Sequence, residues 1–171
     1  MPHLFYIGMV WKVNMEKITV NHCRWVRIPM IKDGFDGIIS VAEEARTIPF
    51  KIKRVYYIYN LIHHSRVLRG KHAHKKLRQV LFCVNGSCDI VLNDGKNIQV
   101  VELNEPNTGL YLGPRLWHVM HNFRNNCILL VFTSDYFKES DYLRNFDAFL
   151  RYLKRHPEKR KKQLRKTRVG T

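Results

Sequence analysis

Between residues 53 and 133 the chain is a succession of short β-branched and aromatic runs broken by Asn-Gly and Asp-Gly turns. Such punctuation favours antiparallel β-structure over any helical fold. Residues 53–59 (KRVYYIY) read as a strand. Residues 79–84 and 87–92 flank Asn85-Gly86, and residues 98–103 come after Asn93-Asp94-Gly95. Each turn predicts a hairpin. Residues 110–112, 117–120 and 127–133 add further short strands. Upstream, residues 18–31 alternate loosely, Asp33-Gly34 and Asp36-Gly37 mark turns, and residues 38–41 resume strand character. Tyr142, Phe146, Phe149, Leu150 and Leu153 form one apolar stripe of a closing helix, which Pro157 ends. The pattern predicts an all-β sandwich or barrel with a C-terminal helix.

Composition supports one folded domain. The chain has 171 residues, 45% hydrophobic and 12% aromatic, enough to bury a core. Residues 1–14 read as detached from the rest of the chain, residues 15–156 as the domain, and residues 157–171 as a basic tail. The longest purely apolar run, residues 127–132, is too short to span a bilayer. Residues 4–11 are apolar, but no Lys or Arg precedes them and no small-residue cleavage site comes after them. No signal peptide is therefore expected, and a cytoplasmic protein is. Cys23, Cys83, Cys88 and Cys127 show no CxxC spacing. Buried thiols are expected, with Cys83 and Cys88 on neighbouring strands.

The net charge of +16 invites a nucleic-acid reading, but its distribution weakens it. Residues 151–171 hold ten Lys/Arg and one acid, so more than half the excess sits in the last 21 residues. The moderately basic body suits a small anionic ligand such as a nucleotide diphosphate.

His72 and His74 stand two apart in RGKHAHK, on one face of a strand. Gln79 and Gly86 come next, and much later Gly113-Pro114, His118 and Asn122. This spacing resembles the two motifs of the cupin superfamily, and implies a jelly-roll barrel whose motif residues point into its mouth. In metal cupins the two His, a Glu and the later His bind the ion. Here Gln79 stands in place of that Glu, and an amide is a poorer ligand for a divalent ion. Three histidines could still hold zinc.

The strings IPFKIKRVYYI, RGKHAHKKLRQVLFCVNGSCDIVLNDG, GLYLGPRLWHVMHNF and LLVFTSDYFKESDYLRNFDAFLRYL are similar to the TDP-4-keto-6-deoxyglucose 3,4-ketoisomerases, over residues 38–153. The resemblance implies a TDP-linked 4-keto-6-deoxyhexose substrate and a keto shift from C4 to C3 through an enediol(ate), with no cofactor and no metal. It also implies a homodimer, and a dehydratase upstream and an aminotransferase downstream in surface-polysaccharide or antibiotic sugar pathways. Histidine suits the proton transfers, since it titrates near neutrality. By this resemblance His72 is the base at C3 and His74 delivers a proton at C4 or to the hydroxyls. Tyr57 is a phenol donor, with Tyr56 and Tyr59 turned to the opposite face. Arg54 and Arg69 are expected to bind the diphosphate. Gln79, Trp117 and His118 complete the substrate pocket, and His118 points to the galacto product. The chain reads Asp36-Gly37 where many relatives carry Arg-Gly. His63, His64 and His121 are expected outside the site. A nucleotide-sugar 3,5-epimerase, a metal-dependent cupin of another class, and a non-enzymatic sugar- or nucleic-acid-binding module are the alternatives. The epimerases typically show a paired His and Asp, which the sequence does not display.

Overall fold

The structure, a computed structural model, describes residues 16–32, 34–61 and 67–158. Readings placed on residues 1–14, on His63 and His64, and on the tail from residue 159 lie outside the described residues.

Two long strands organise everything else. β6 (Gln79–Asn93) and β9 (Trp117–Thr133) pair antiparallel along their whole length, from Gln79↔Thr133 to Asn93↔Trp117. Midway the register shifts repeatedly between Cys83 and Asp89. There Gly86, Asn122, Asn125 and Asn126 all take positive φ. These bulges bend both strands, so each one serves two sheets. The first sheet is completed by β1 (Cys23–Arg27) and β8 (Thr108–Leu112) on one side and β4 (Arg54–Ile58) on the other. The second contains β7 (Ile98–Leu103), β5 (Arg69–His74) and the short β10 (Tyr142–Leu143). A hairpin of β2 (Met30–Lys32) and β3 (Ile38–Ser40) stands apart. The result is a cupin-like jelly roll: two sheets joined at a bend and open at a mouth, where Gln79, Thr133, Trp117 and Asn93 lie.

Two expectations change here. Asn85-Gly86 is not a hairpin turn, and residues 117–120 and 127–133 are not separate strands: the chain runs through both places. Gly86 supplies the left-handed residue either feature needs. Here a Cβ on it would run into the Arg124 carbonyl, so β9 lies against the strand and keeps it from reversing. Cys83 and Cys88 therefore share one strand, on either side of the bulge. Asn93-Asp94-Gly95 does turn the chain. Asp94 takes hydrogen bonds from the backbone N–H groups of Lys96 and Asn97, and its carboxyl is held down at about 2 by the donors around it, against the opposing effect of burial.

The space between the sheets fills with apolar side chains that alternate with outward ones. Leu81, Cys83, Cys88, Ile90, Leu92, Leu110, Leu129 and Val131 are buried there. Each large aliphatic chain contributes about 1.5–3 kcal/mol by leaving water. The outer face of the second sheet is covered by α1 (Phe146–Arg155), which packs Phe149 against Ala73 and Trp117. Asn145 caps it by accepting the Ala148 N–H, and Lys154 and Arg155 sit favourably in its last turn. Tyr142, expected on the helical stripe, belongs instead to β10. Among the described residues no helix is long and apolar enough to cross a membrane.

Candidate active site

At the mouth the interior turns polar. β5 brings His72 opposite His118 of β9, because an extra residue at Lys71 bulges the strand between Gly70 and His72. Their rings stand 4.6 Å apart. Gly70 makes this closeness possible: a Cβ there would lie 2.8 Å from the His118 carbonyl. Alternation then places His74 on the same face as His72, with ring centroids 4.9 Å apart. Tyr142, paired with His74 across β10, presents its ring 4.4 Å from His74 and 4.9 Å from His72.

Each ring nitrogen Nδ1 has a partner, which settles the tautomers. His72 donates to the Gly70 carbonyl at 2.9 Å. His118 donates to the Leu116 carbonyl at 3.4 Å, so its Nε2 accepts from the Gln79 amide at 3.2 Å. His74 donates to the Asp141 carboxylate at 3.1 Å. The Nε2 atoms of His72 and His74 are left for other work.

Burial holds all three histidines below their ordinary range. His118 is pushed well down by burial and then by its two histidine neighbours. His74 falls to about 4, through burial and then His72, with Asp141 opposing. His72 is lowered by burial, against its bond to Gly70. Tyr56 is pushed up to about 12 by burial and then by Tyr142, so it remains a phenol donor.

Beside this cluster lies a cleft of about 420 Å³. Arg54, Lys75, Lys76, Arg78 and Lys138 line it, against Asp135 and Asp141. Both acids are engaged: Asp135 with Lys138 at 2.6 Å, Asp141 with His74. The Arg54 guanidinium lies over the Tyr56 ring at 5.2 Å, and its Nε is buried without a hydrogen-bond partner. The cleft meets the histidine cluster at Asp141 and Tyr142, so an anion there would have its neighbouring group against the imidazoles.

His72, His74, His118 and Gln79 thus come together as expected, with Arg54 beside them. Arg69 stands exposed at the start of β5, in register with inward-facing Met120, and does not line the cleft. Two expected site residues are misplaced. Tyr57 is 65% exposed and pairs with Leu130 on the outer face, its ring beside Tyr59 at 5.4 Å. Strand parity gives the inward face to Arg54, Tyr56 and Ile58, so Tyr56 is the tyrosine that faces the site and Tyr59 shares the outer face with Tyr57. Trp117 is one residue from His118 and therefore faces out, packing on Phe146 and Phe149 of α1. His121 also faces away, as expected, beside Asp89.

Asp141, Tyr142 and Tyr56 escaped the sequence reading. Asp141 reaches His74 across 67 residues, and supplies the paired His and Asp that the sequence hid. Among the described residues no group of three or more His, Cys, Asp or Glu has metal-holding geometry. Gln79, at the place where metal cupins carry a Glu, points its amide at His118 Nε2.

The FdtA family model (WxcM-like, C-terminal) matches residues 21–154. The chain belongs to the FdtA family of ketoisomerases. A TDP-4-oxo-6-deoxy-alpha-D-glucose-3,4-oxoisomerase from Aneurinibacillus thermoaerophilus is 50% identical over 117 residues, covering 68% of this chain and 83% of that relative. Among solved structures, a histidine-to-asparagine mutant of the 3,4-ketoisomerase QdtA from Thermoanaerobacterium thermosaccharolyticum, in complex with TDP-4-keto-6-deoxyglucose, superposes with a TM-score of 0.75 at 40% identity. The match covers 81% of this chain and 99% of that one. The WlaRB TDP-quinovose 3,4-ketoisomerase from Campylobacter jejuni gives a TM-score of 0.72 at 44% identity, over 77% and 99% of the two chains. With the family comes the class of activity, that of an isomerase acting on a nucleotide sugar.

Proposed function

We propose that this protein converts TDP-4-keto-6-deoxyglucose to the TDP-linked 3-keto-6-deoxyhexose. The single observation that carries the reading is the pair of free Nε2 atoms on His72 and His74, with a basic cleft beside them in a 3,4-ketoisomerase scaffold. The diphosphate enters the cleft against Arg54, and the sugar ring lies over the imidazoles. His72 Nε2 removes the C3 proton, which the adjacent C4 carbonyl acidifies. The resulting enediolate carries its charge on O4. The O3 proton passes to O4. The proton taken by His72 Nε2 passes, exchanging with solvent on the way, to His74 Nε2 on the neighbouring ring 4.9 Å off. His74 returns a proton to C4, leaving the ketone at C3 and both imidazoles neutral. The phenols of Tyr142 and Tyr56 are the donors placed to stabilise the enolate oxygens, in the role first expected of Tyr57. Two electrons shift within the substrate, so the chemistry calls for neither a redox cofactor nor a metal.

Within this reading the product takes the galacto configuration, on the presence of His118 edge-on to His72 with ring centroids 4.6 Å apart. The protein works as a homodimer. The exposed apolar side chains Val55 and Tyr57 on β4, Tyr59 just after it, and Ile31, Phe35, Ile38 and Ile39 on the β2–β3 hairpin give a second copy a surface to bury. A dimer is expected by light scattering; a monomer at micromolar concentration contradicts it.

The deciding experiment is proton NMR of the protein with TDP-4-keto-6-deoxyglucose in D2O with chelator present. A 3-keto isomer carrying deuterium at C4 is the expected product, and couplings at its ring protons assign the configuration. The His74–Asp141 pair gives the 3,5-epimerase reading one specific support. In that case deuterium enters C3 and C5 while the ketone stays at C4.

A further inference from the structure

The three histidines of the mouth share one tautomer but not one kind of partner. His72 and His118 donate Nδ1–H to neutral carbonyls. His74 alone donates to a carboxylate, that of Asp141. This carboxylate is held from several directions. Its Oδ1 accepts the Lys76 N–H at 2.8 Å, and its Oδ2 accepts the Leu77 N–H at 3.2 Å as well as His74. Its backbone is tied too: the Asp141 carbonyl accepts from Lys75 N, and Asp141 N donates to the Lys138 carbonyl. Asp141 closes a 3₁₀ turn (Glu139–Asp141) and so cannot swing away from the loop after His74.

We propose that Asp141 is a positioning residue for the return of the proton to carbon: it fixes the Nδ1–H tautomer of His74 and stabilises positive charge on that ring alone. The two neighbouring imidazoles are thereby made inequivalent. His72, bonded to a carbonyl, is suited to take a proton from carbon; His74, bonded to a carboxylate, is suited to hold one for delivery. His74 also faces His72, His118, Tyr142 and, electrostatically, Arg54. Of these groups only Asp141 favours a charged His74, so the bias rests on a single side chain. This rests on the ketoisomerase reading above.

The test compares Asp141→Asn and Asp141→Glu with the parent. An Asn has one oxygen, so its NH2 must point either at the Lys76 N–H or at the Leu77 N–H and His74. We expect Asp141→Asn to lower kcat by about 100-fold with KM within about threefold, the size of a lost acid–base contribution. We expect the basic limb of its kcat profile to move to lower pH, since losing the carboxylate makes His74 a stronger acid. Asp141→Glu should recover part of kcat and move the limb back. Nitrogen-15 NMR of the imidazoles should show His74 as the Nδ1–H form in the parent and as a mixture in Asp141→Asn. Unmoved limbs with an unchanged tautomer overturn the proposal, even if the variant melts earlier. Movement of the acid limb instead overturns the assignment of His74 as donor. If the parent turns over no TDP-keto sugar, the ketoisomerase reading fails, whereas the tautomer measurement still tests the hold of Asp141 on His74.

Discussion

At the bend, β6 and β9 bury Cys83, Cys88 and Cys127 among leucines and isoleucines; at the mouth, the same two strands hold Gln79 and His118. The bend is filled by groups that ask little of their surroundings. The Cys83 and Cys127 sulfurs lie 3.6 Å apart, and Cys83 also finds the Asn85 and Gly86 carbonyls. The mouth is filled by groups that ask a great deal. Its imidazoles are buried against their preference for water, and two of them keep a nitrogen without a partner. Stability is concentrated at one end of the sandwich and reactivity at the other, although a few residues of the same strand separate them.

Replacing His72 by Asn should separate the two ends most sharply. Turnover should fall by about 100-fold or more, the usual scale of a lost general base, while the melting temperature stays near the parent's. Parent-like turnover in that variant removes His72 as the base. Leu129→Ala strikes the other end. Denaturant unfolding should show a loss of about 2–5 kcal/mol, with KM for the TDP sugar unchanged in the folded protein. A shift in KM would mean that packing at the bend reaches the site.

The pH dependence of stability should belong to the mouth. His72, His74 and His118 are all held below the ordinary 6.5, His74 at about 4. Between those values the unfolded chain binds more protons than the folded one, so stability falls as pH drops from 6.5 toward 4. Thermal melts across that window should show the fall, and His74→Gln should flatten it; an equally steep dependence in the variant places its origin elsewhere. Arg54→Ala should raise KM about tenfold and leave kcat within about threefold, because it takes a charged hydrogen-bond donor from the diphosphate. A fall in kcat alone would move Arg54 from binding to chemistry. Tyr57→Phe should change turnover least of all, since that hydroxyl faces outward. A strong loss would mean that the outer face of β4 joins a site across two copies.

Much of this contrast was legible in the sequence. Alternation gave the strands, and the RGKHAHK spacing together with His118 gave the mouth. What failed had a physical cause in each case. A left-handed glycine serves a hairpin and a bulge equally well. What keeps β6 running through Gly86 is β9, far along the chain, whose Arg124 carbonyl lies against that glycine. Tyr56 and Tyr57 are adjacent tyrosines in one strand, and composition cannot say which parity faces inward; the pairing of Val131 with Tyr56 decides it. Tyr142 fits a helical stripe by spacing, yet Asn145 caps the helix only after it. Asp141 has no local signal at all, because its partner is brought to it by the closing of β10 onto β5.

The unbroken passage of β6 and β9 through both sheets has a mechanical consequence. Neither sheet hangs from a loop, so neither can swing as a rigid flap on a hinge of free torsions. Load applied to one sheet is carried along the peptide backbone into the other. Pulled from its ends, the molecule should first unzip the peripheral strands β1 and β10, whose ladders peel one pair at a time. The central ribbon, which must shear as a whole, should yield last. Both jaws of the mouth are thus bent from the same pair of strands, like a clip made from a single wire.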